Sequence, residues 1–325
     1  MIHKLGAGEL HVTTVKHETK WTFIIIGIFL IWGSFYPVSK YIVTDIDPPL
    51  AAFLRYFFAL VTLTPFFVYK SLHGFFPQPR DILMLSLVGL LGITLFALLL
   101  FYGIKLSTSS VSSILGNTQP VFGPVLALFI LHETFTLREL AGVFIGTVGM
   151  AVVVMESGDA HGGYEIATLS SALVGNISCI LASIVISLYY ILLKKYIQRY
   201  GSIIATTVSF FSGGAALLAA VFILDSDVSV LYDITLFEWT LVFYNGAIAT
   251  AFVYIIHNIS LREIGVVRTL RLKFLIPVFG VILSVALLQE KVNLNVLIGM
   301  SVVVSAIFVL QWPDKRIKKQ KKIDN

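Results

Sequence analysis

"QPVFGPVLALFILHETFTLRELAGV", residues 119–143, has a counterpart further along the chain in "IPVFGVILSVALLQEKVNLNVLIGM", residues 276–300. One gap-free offset of 157 residues lays Pro-Val-Phe-Gly at 120–123 on the same four residues at 277–280. It lays Leu131-His132-Glu133 on Leu288-Gln289-Glu290, Gly142 on Gly299 and Lys105 on Arg262. The "KYI" at 40–42 resembles the "KYI" at 195–197. Internal repetition of this kind sets the architecture before any single motif is read. The chain divides into a tail (1–21), a first copy (22–155), a linker (156–167), a second copy (168–312) and a basic tail (313–325).

Each copy is a membrane segment. Of 325 residues, 57% are hydrophobic and 13% charged, against about 25% charged in a soluble domain. The apolar residues come in runs of the roughly 20 needed to cross a hydrocarbon core about 30 Å thick. Ten spans are expected, at 22–43, 49–69, 82–104, 108–131, 138–155, 168–193, 203–224, 237–260, 266–288 and 294–312. The fold class is therefore all-α integral membrane. Residues 1–20 contain Lys4, Glu9, Lys16, Glu18 and Lys20 without an apolar core, so they do not read as a signal peptide.

Charge orients the bundle, because Lys and Arg concentrate on the cytoplasmic side. Ten spans put both tails on one side. That side collects Lys4, Lys16, Lys20, Lys70, Arg80, Arg138, Lys194, Lys195, Arg199, Arg262 and the six cations from Lys315 to Lys322. The other side has Lys40, Lys105 and Lys291. A 16:3 split predicts cytoplasmic termini in a multi-pass protein of the cytoplasmic (plasma) membrane. The net +5 is thus a topology signal, with no nucleic-acid partner implied. Cys179 is the one cysteine, so no intrachain disulfide forms.

Five spans per copy is an odd number, so the second copy enters the bilayer from the opposite face. The copies are then two inverted five-helix repeats, an arrangement common among secondary transporters, with the substrate site near the midplane between the repeats.

The "IWGSFYPVSKYI" of the first span, the arginine in "AAFLRYFFAL", and the Pro-Val-Phe and terminal Glu of both copies together resemble the drug/metabolite transporter (DMT) superfamily and its EamA-type repeats. The resemblance covers residues 22–312. It implies ten helices, cytoplasmic termini, a central cavity lined from both copies, and transport of small metabolites coupled to protons or to an exchanged substrate. The sequence departs from the pattern in "VVRTLRLKFLIPVFG", 266–280. Arg268, Arg271 and Lys273 stand where the first copy has Val111, Ile114 and Gly116. Cations there resemble the sugar-phosphate and nucleotide-sugar branch instead.

These cations are the leading candidates for substrate contact. A cation buried at the bilayer centre costs about 2.5–3.5 kcal/mol on insertion scales, and an anionic substrate is a natural partner for it. Snorkelling to the headgroups is the competing role, strongest for Arg268. Pro277 cannot donate to the carbonyl of Lys273, and Pro120 leaves that of Gly116 free. Irregular backbone at this depth is tolerated where it lines a cavity. Asn117 and Gln119 flank the first of these points, and Trp32, Tyr189 and Tyr254 are candidate cavity wall. His257 is a candidate proton carrier, with an interfacial histidine as the alternative. Arg55 is expected to bind backbone carbonyls rather than substrate. Thr136 and Glu139 read as a capping box, and Gly142 and Gly146 as a close-packing pair.

The expected function is a secondary transporter working by alternating access on an anionic or zwitterionic metabolite, such as an amino acid or a phosphorylated metabolite. A membrane-embedded enzyme or binding protein acting on an anionic lipid or isoprenoid phosphate is the alternative, against which stands the lack of a catalytic constellation. No metal or cofactor is expected. Membrane lipids surround the chain, which is expected to be a monomer or homodimer.

Overall fold

The computed structural model describes residues 7–74, 76–131, 136–155, 169–264, 269 and 272–311. All regular structure among them is helical. Eight helices are long and apolar enough to cross a membrane: Thr19–Asp45, Pro48–Leu72, Pro79–Leu106, Ser109–Ile130, Leu137–Met155, Ser170–Tyr200, Ser202–Ile223 and Leu236–Glu263. Two shorter apolar helices, Leu272–Leu288 and Leu294–Leu310, complete the ten. The ends match the apolar runs closely except in the sixth span, which continues from 193 to Tyr200. Lys194, Lys195 and Arg199 end the apolar run there but are good helix formers, so the backbone carries on past it. The expected start of the ninth span, including Arg268 and Arg271, lies outside the described residues.

Local chemistry explains where the helices turn. Pro48 and Pro79 occupy first-turn positions, where the missing N–H is no loss. Thr136 and Glu139 form the expected capping box, with Thr136 N donating to Glu139 Oε2 at 2.8 Å and Glu139 N to Thr136 Oγ1 at 3.2 Å. The sixth and seventh spans are separated by Gly201 alone, at φ 82°, a left-handed conformation that favours glycine.

Short connections make consecutive spans alternate in direction. The starts of the odd spans and the ends of the even ones therefore share one face, here called the terminal face. Packing between the copies obeys a two-fold exchange. The first span lies against the ninth as the sixth lies against the fourth, and the third lies against the sixth as the eighth lies against the first. The second packs on the seventh and the fifth on the tenth. Glycines allow the last of these contacts: a Cβ on Gly142 would sit 2.5 Å from Leu310 Cγ, and one on Gly149 2.9 Å from Val303 Cγ2.

Departures from α-helix are duplicated too. The third span contains a π-helical stretch, Leu90–Leu95, and the eighth contains one at Tyr244–Phe252. The fourth span is two helices, Ser109–Leu115 and Gln119–Leu131, broken at 116–118 just ahead of Pro120. The offset of 157 carries that break onto 273–275, where the described part of the ninth span is a 3-10 turn, Leu272–Phe274, before Leu275–Leu288.

Candidate functional site: a central cavity with one closed end

The broken fourth span is repaired by its own side chains. Asn117 Nδ2 donates to Ser113 O at 2.7 Å, and Thr118 Oγ1 to Leu115 O at 2.6 Å. Both carbonyls lose their usual helical partners because the chain turns ahead of Pro120. Asn117 Nδ2 also donates to Tyr36 Oη at 2.9 Å, tying the break to the first span. The counterpart of this break in the ninth span carries Lys273.

Between the two breaks lies a cavity of about 850 Å³. Trp32, Asn117, Gln119, Tyr189, Tyr254 and Lys273 all line it. Aromatic rings dominate the wall, with Phe35, Tyr56, Phe96, Tyr190 and Phe210 added to those already named. Among the described residues the charged lining residues are Arg55, Lys194 and Lys273, with no Asp or Glu. The Lys273 ammonium lies 5.3 Å from the Trp32 ring centroid and 6.0 Å from that of Tyr190. Such stacking over aromatic faces stabilises a partly desolvated cation. Tyr254 Oη shares a 2.5 Å hydrogen bond with Thr206 Oγ1, which fixes that wall.

His257 is buried behind the cavity wall rather than at an interface. It is 8% exposed and absent from the lining, and its ring packs 5.3 Å from that of Trp32 and 6.1 Å from that of Phe29. It supports the wall from behind. Arg55 also departs from expectation. It is 7% exposed and lines the cavity. Its Nε donates to the hydroxyl of Thr250 at 2.8 Å, not to a carbonyl, and its Nη1 has no hydrogen-bond partner.

The lining runs to the terminal-face ends of the helices, at Ala127, Lys194, Gln198, Leu261 and Leu310. Lys194 and Gln198 are exposed there. The other end is blind. Beyond Arg55 and Leu100, the turn joining the third and fourth spans is pinned from several sides. Lys40 Nζ, on the first span, donates to the carbonyls of Ile104, Lys105 and Ser107 at 3.0, 2.9 and 2.7 Å. Glu290, just past the ninth span, accepts from the N–H of Ser109 at 2.7 Å, the N–H of Ser110 at 2.9 Å and the hydroxyl of Ser110 at 2.6 Å. Ser107 Oγ donates to Asn176 Oδ1 of the sixth span at 2.5 Å, and Ser109 and Ser284 share a hydroxyl contact of 2.7 Å. A cation thus caps the C-terminal end of one helix and a carboxylate the N-terminal end of the next, each favourable with the helix dipole. The partners of Glu290 lie some 180 residues away, so span lengths gave no hint of them.

A cavity bounded by broken helices from two inverted copies is the geometry of a carrier. The EamA-like transporter family matches residues 19–155 and again 173–312. An uncharacterized transporter of Clostridium kluyveri is 26% identical over 251 residues, covering 76% of this chain and 77% of the relative. The uncharacterized transporter YetK of Bacillus subtilis is 28% identical, covering 85% and 82% of the two chains. A chloroplastic WAT1-related protein of Arabidopsis thaliana is 24% identical over 91% of this chain and 70% of its own. A protein crystal structure of 15% identity superposes with a TM-score of 0.64, covering 92% of this chain and 98% of the other, a likeness of fold. By these matches and this architecture, the chain is a multi-pass membrane protein that belongs to the EamA-like transporter family.

Proposed function

We propose that the protein is a secondary transporter that moves a small anionic or zwitterionic metabolite across the cytoplasmic membrane by alternating access. The observation that carries this reading is the contrast between the two ends of the cavity. One end is closed by buried, charge-assisted hydrogen bonds, the other reaches exposed residues, and the inverted repeat supplies an equivalent turn at each. Rocking one copy against the other would exchange the two conditions without rebuilding either copy. The 16:3 charge split assigns the terminal face to the cytoplasm, so this conformation is the inward-facing one. Lys273 draws the anion in, and Trp32, Tyr189 and Tyr190 give its body a flat apolar wall. A proton or an exchanged substrate is the coupling partner.

Proteoliposomes containing the purified protein test this. Vesicles preloaded with an unlabelled organic anion should accumulate the same anion in labelled form by counterflow. Lys273→Gln should cut the rate about tenfold or more while leaving folded protein, as expected for one lost charge-assisted contact. Chemical conversion of an added lipid phosphate without counterflow would favour the enzyme reading instead.

A further inference from the structure

The blind end of the cavity holds a cation that the closing contacts do not use. Arg55 is oriented completely by its surroundings. Nε is taken by Thr250, and the guanidinium carbon lies 4.1 Å from the centroid of the Phe35 ring and 5.3 Å from that of Tyr56. With rings against the guanidinium, approach is by its edge. Nη1 on that edge is buried and has no partner. Tyr36 lines the same cavity, its ring 5.1 Å from that of Phe35, over which the guanidinium lies. The Tyr36 hydroxyl accepts from Asn117, and no acceptor takes its own hydrogen among the described residues. A Cβ on Gly116 would stand 2.7 Å from Tyr36 Oη, so the glycine at the helix break leaves that oxygen room.

We propose that this end is a carboxylate subsite, formed by the Arg55 edge and the Tyr36 hydroxyl, and that the cargo is an organic acid with a single negative charge and a flat apolar body. The proposal rests on the transporter reading and narrows it. A carboxylate presents two oxygens to two donors and carries the one charge that a lone buried guanidinium balances. A phosphate monoester carries about −1.5 to −2 at neutral pH and would need a second cation beside Arg55, whereas Lys273 lies against Trp32 and Tyr190 rather than against Phe35 and Tyr56. An ammonium group on the cargo has no carboxylate to meet among the described residues of the lining. Phe35, Tyr56, Phe96, Leu100 and Phe210 supply the apolar surround. Tyr190 lines the same cavity as Arg55 and lies 6.0 Å from Lys273. Lys273 therefore captures the acid and Arg55 holds it.

The test uses the purified full chain and four probes of one shape: phenylacetate, phenyl phosphate, 2-phenylethanol and phenethylamine, with binding measured by calorimetry. Phenylacetate should bind at least about tenfold more tightly than the neutral alcohol, the size of one charge-assisted contact. Arg55→Gln should remove that preference and leave the alcohol's affinity unchanged, which a merely structural arginine would not do. Tyr36→Phe should reduce the preference part of the way. If Arg55→Gln does not fold, Arg55→Lys carries the test: it keeps the charge but loses the planar edge, so the preference should shrink without vanishing. Equal affinity for acid and alcohol in the unaltered protein, or no binding of phenylacetate, overturns the subsite. Tighter binding of phenyl phosphate, sensitive to Lys273→Gln but not to Arg55→Gln, removes the carboxylate subsite and leaves the anion transporter standing. Binding of phenethylamine alone would remove both.

Discussion

Lys40 and Lys195 begin the same three-residue sequence in the two copies, yet they live in different surroundings. Lys40 is 6% exposed and spends its three N–H groups on three carbonyls at the turn between the third and fourth spans. Lys195 is exposed on the terminal face, with its Nζ 4.6 Å from the ring of the adjacent Tyr196. The symmetry-related target of Lys195 is the turn between the eighth and ninth spans, around Arg262 and Ile264. One sequence thus has two fates, and the difference coincides with which end of the cavity is closed. The same residue type serves as a clasp when the helices converge and as a solvated surface cation when they do not. On the proposed alternating-access reading, the repeat would supply a second clasp at the terminal face, engaged when the first is released.

The comparison can be broken most forcefully at Glu290. Its carboxylate accepts three hydrogen bonds at the fourth span's start. Each charge-assisted bond of this kind is worth about 1.5–3 kcal/mol. Glu290→Ala should therefore open the blind end by tenfold or much more in population. A Cys179→Ser background with Ile104→Cys reports this directly, because Ile104 is 0% exposed. Maleimide labelling of that cysteine in detergent should be slow in the parent and at least about tenfold faster with Glu290→Ala. An unchanged rate would show that the carboxylate only decorates the turn.

A smaller effect separates the two lysines. Lys40→Met leaves three carbonyls to find other partners and should lower the thermal midpoint by several degrees, as expected for a loss of about 1–3 kcal/mol. Lys195→Met should leave the midpoint unchanged within error, because an exposed cation over one ring contributes little. Both substitutions should slow transport, since each clasp is needed in one half of the cycle. A midpoint loss from Lys195→Met equal to that from Lys40→Met would erase the asymmetry. The smallest effect is expected at Ser107. Its contact with Asn176 is a single neutral hydrogen bond, so Ser107→Ala should cost about 1 kcal/mol, seen as a small rise in labelling at position 104.

Much of this architecture was legible in the sequence, and the reason is the bilayer. A helix that must cross hydrocarbon announces its length, so the ten spans and the inverted relation followed from apolar runs and one offset. Pro120 and Pro277 marked the broken helices because a missing N–H has the same consequence anywhere. Lys273 stood out because a cation inside a span is costly. The contacts of Arg55, Lys40 and Glu290 were not legible. Periodicity reports where one helix lies, not which other helix faces it, and Glu290 and Ser109 come together only after the bundle assembles. A signal existed for the clasps: Lys40 with Lys195, and Glu133 with Glu290, are pairs that the repeat aligns. The π-helical stretches left no trace in residue types. His257, near the end of its apolar run, resembled an interfacial residue until its packing against Trp32 and Phe29 was seen.

The exchange of the two ends is the central claim, and paired spin-label distances test it most directly. One pair, Lys105→Cys with Lys291→Cys, spans the closed end; the other, Gln198→Cys with Arg262→Cys, spans the terminal face. Each is placed in the Cys179→Ser background and measured with and without Glu290→Ala. The account predicts that Glu290→Ala lengthens the first distance and shortens the second together. A first distance that lengthens while the second stays fixed, or two distances that lengthen together, would mean local fraying or general loosening and would contradict alternating access by exchange of equivalent clasps.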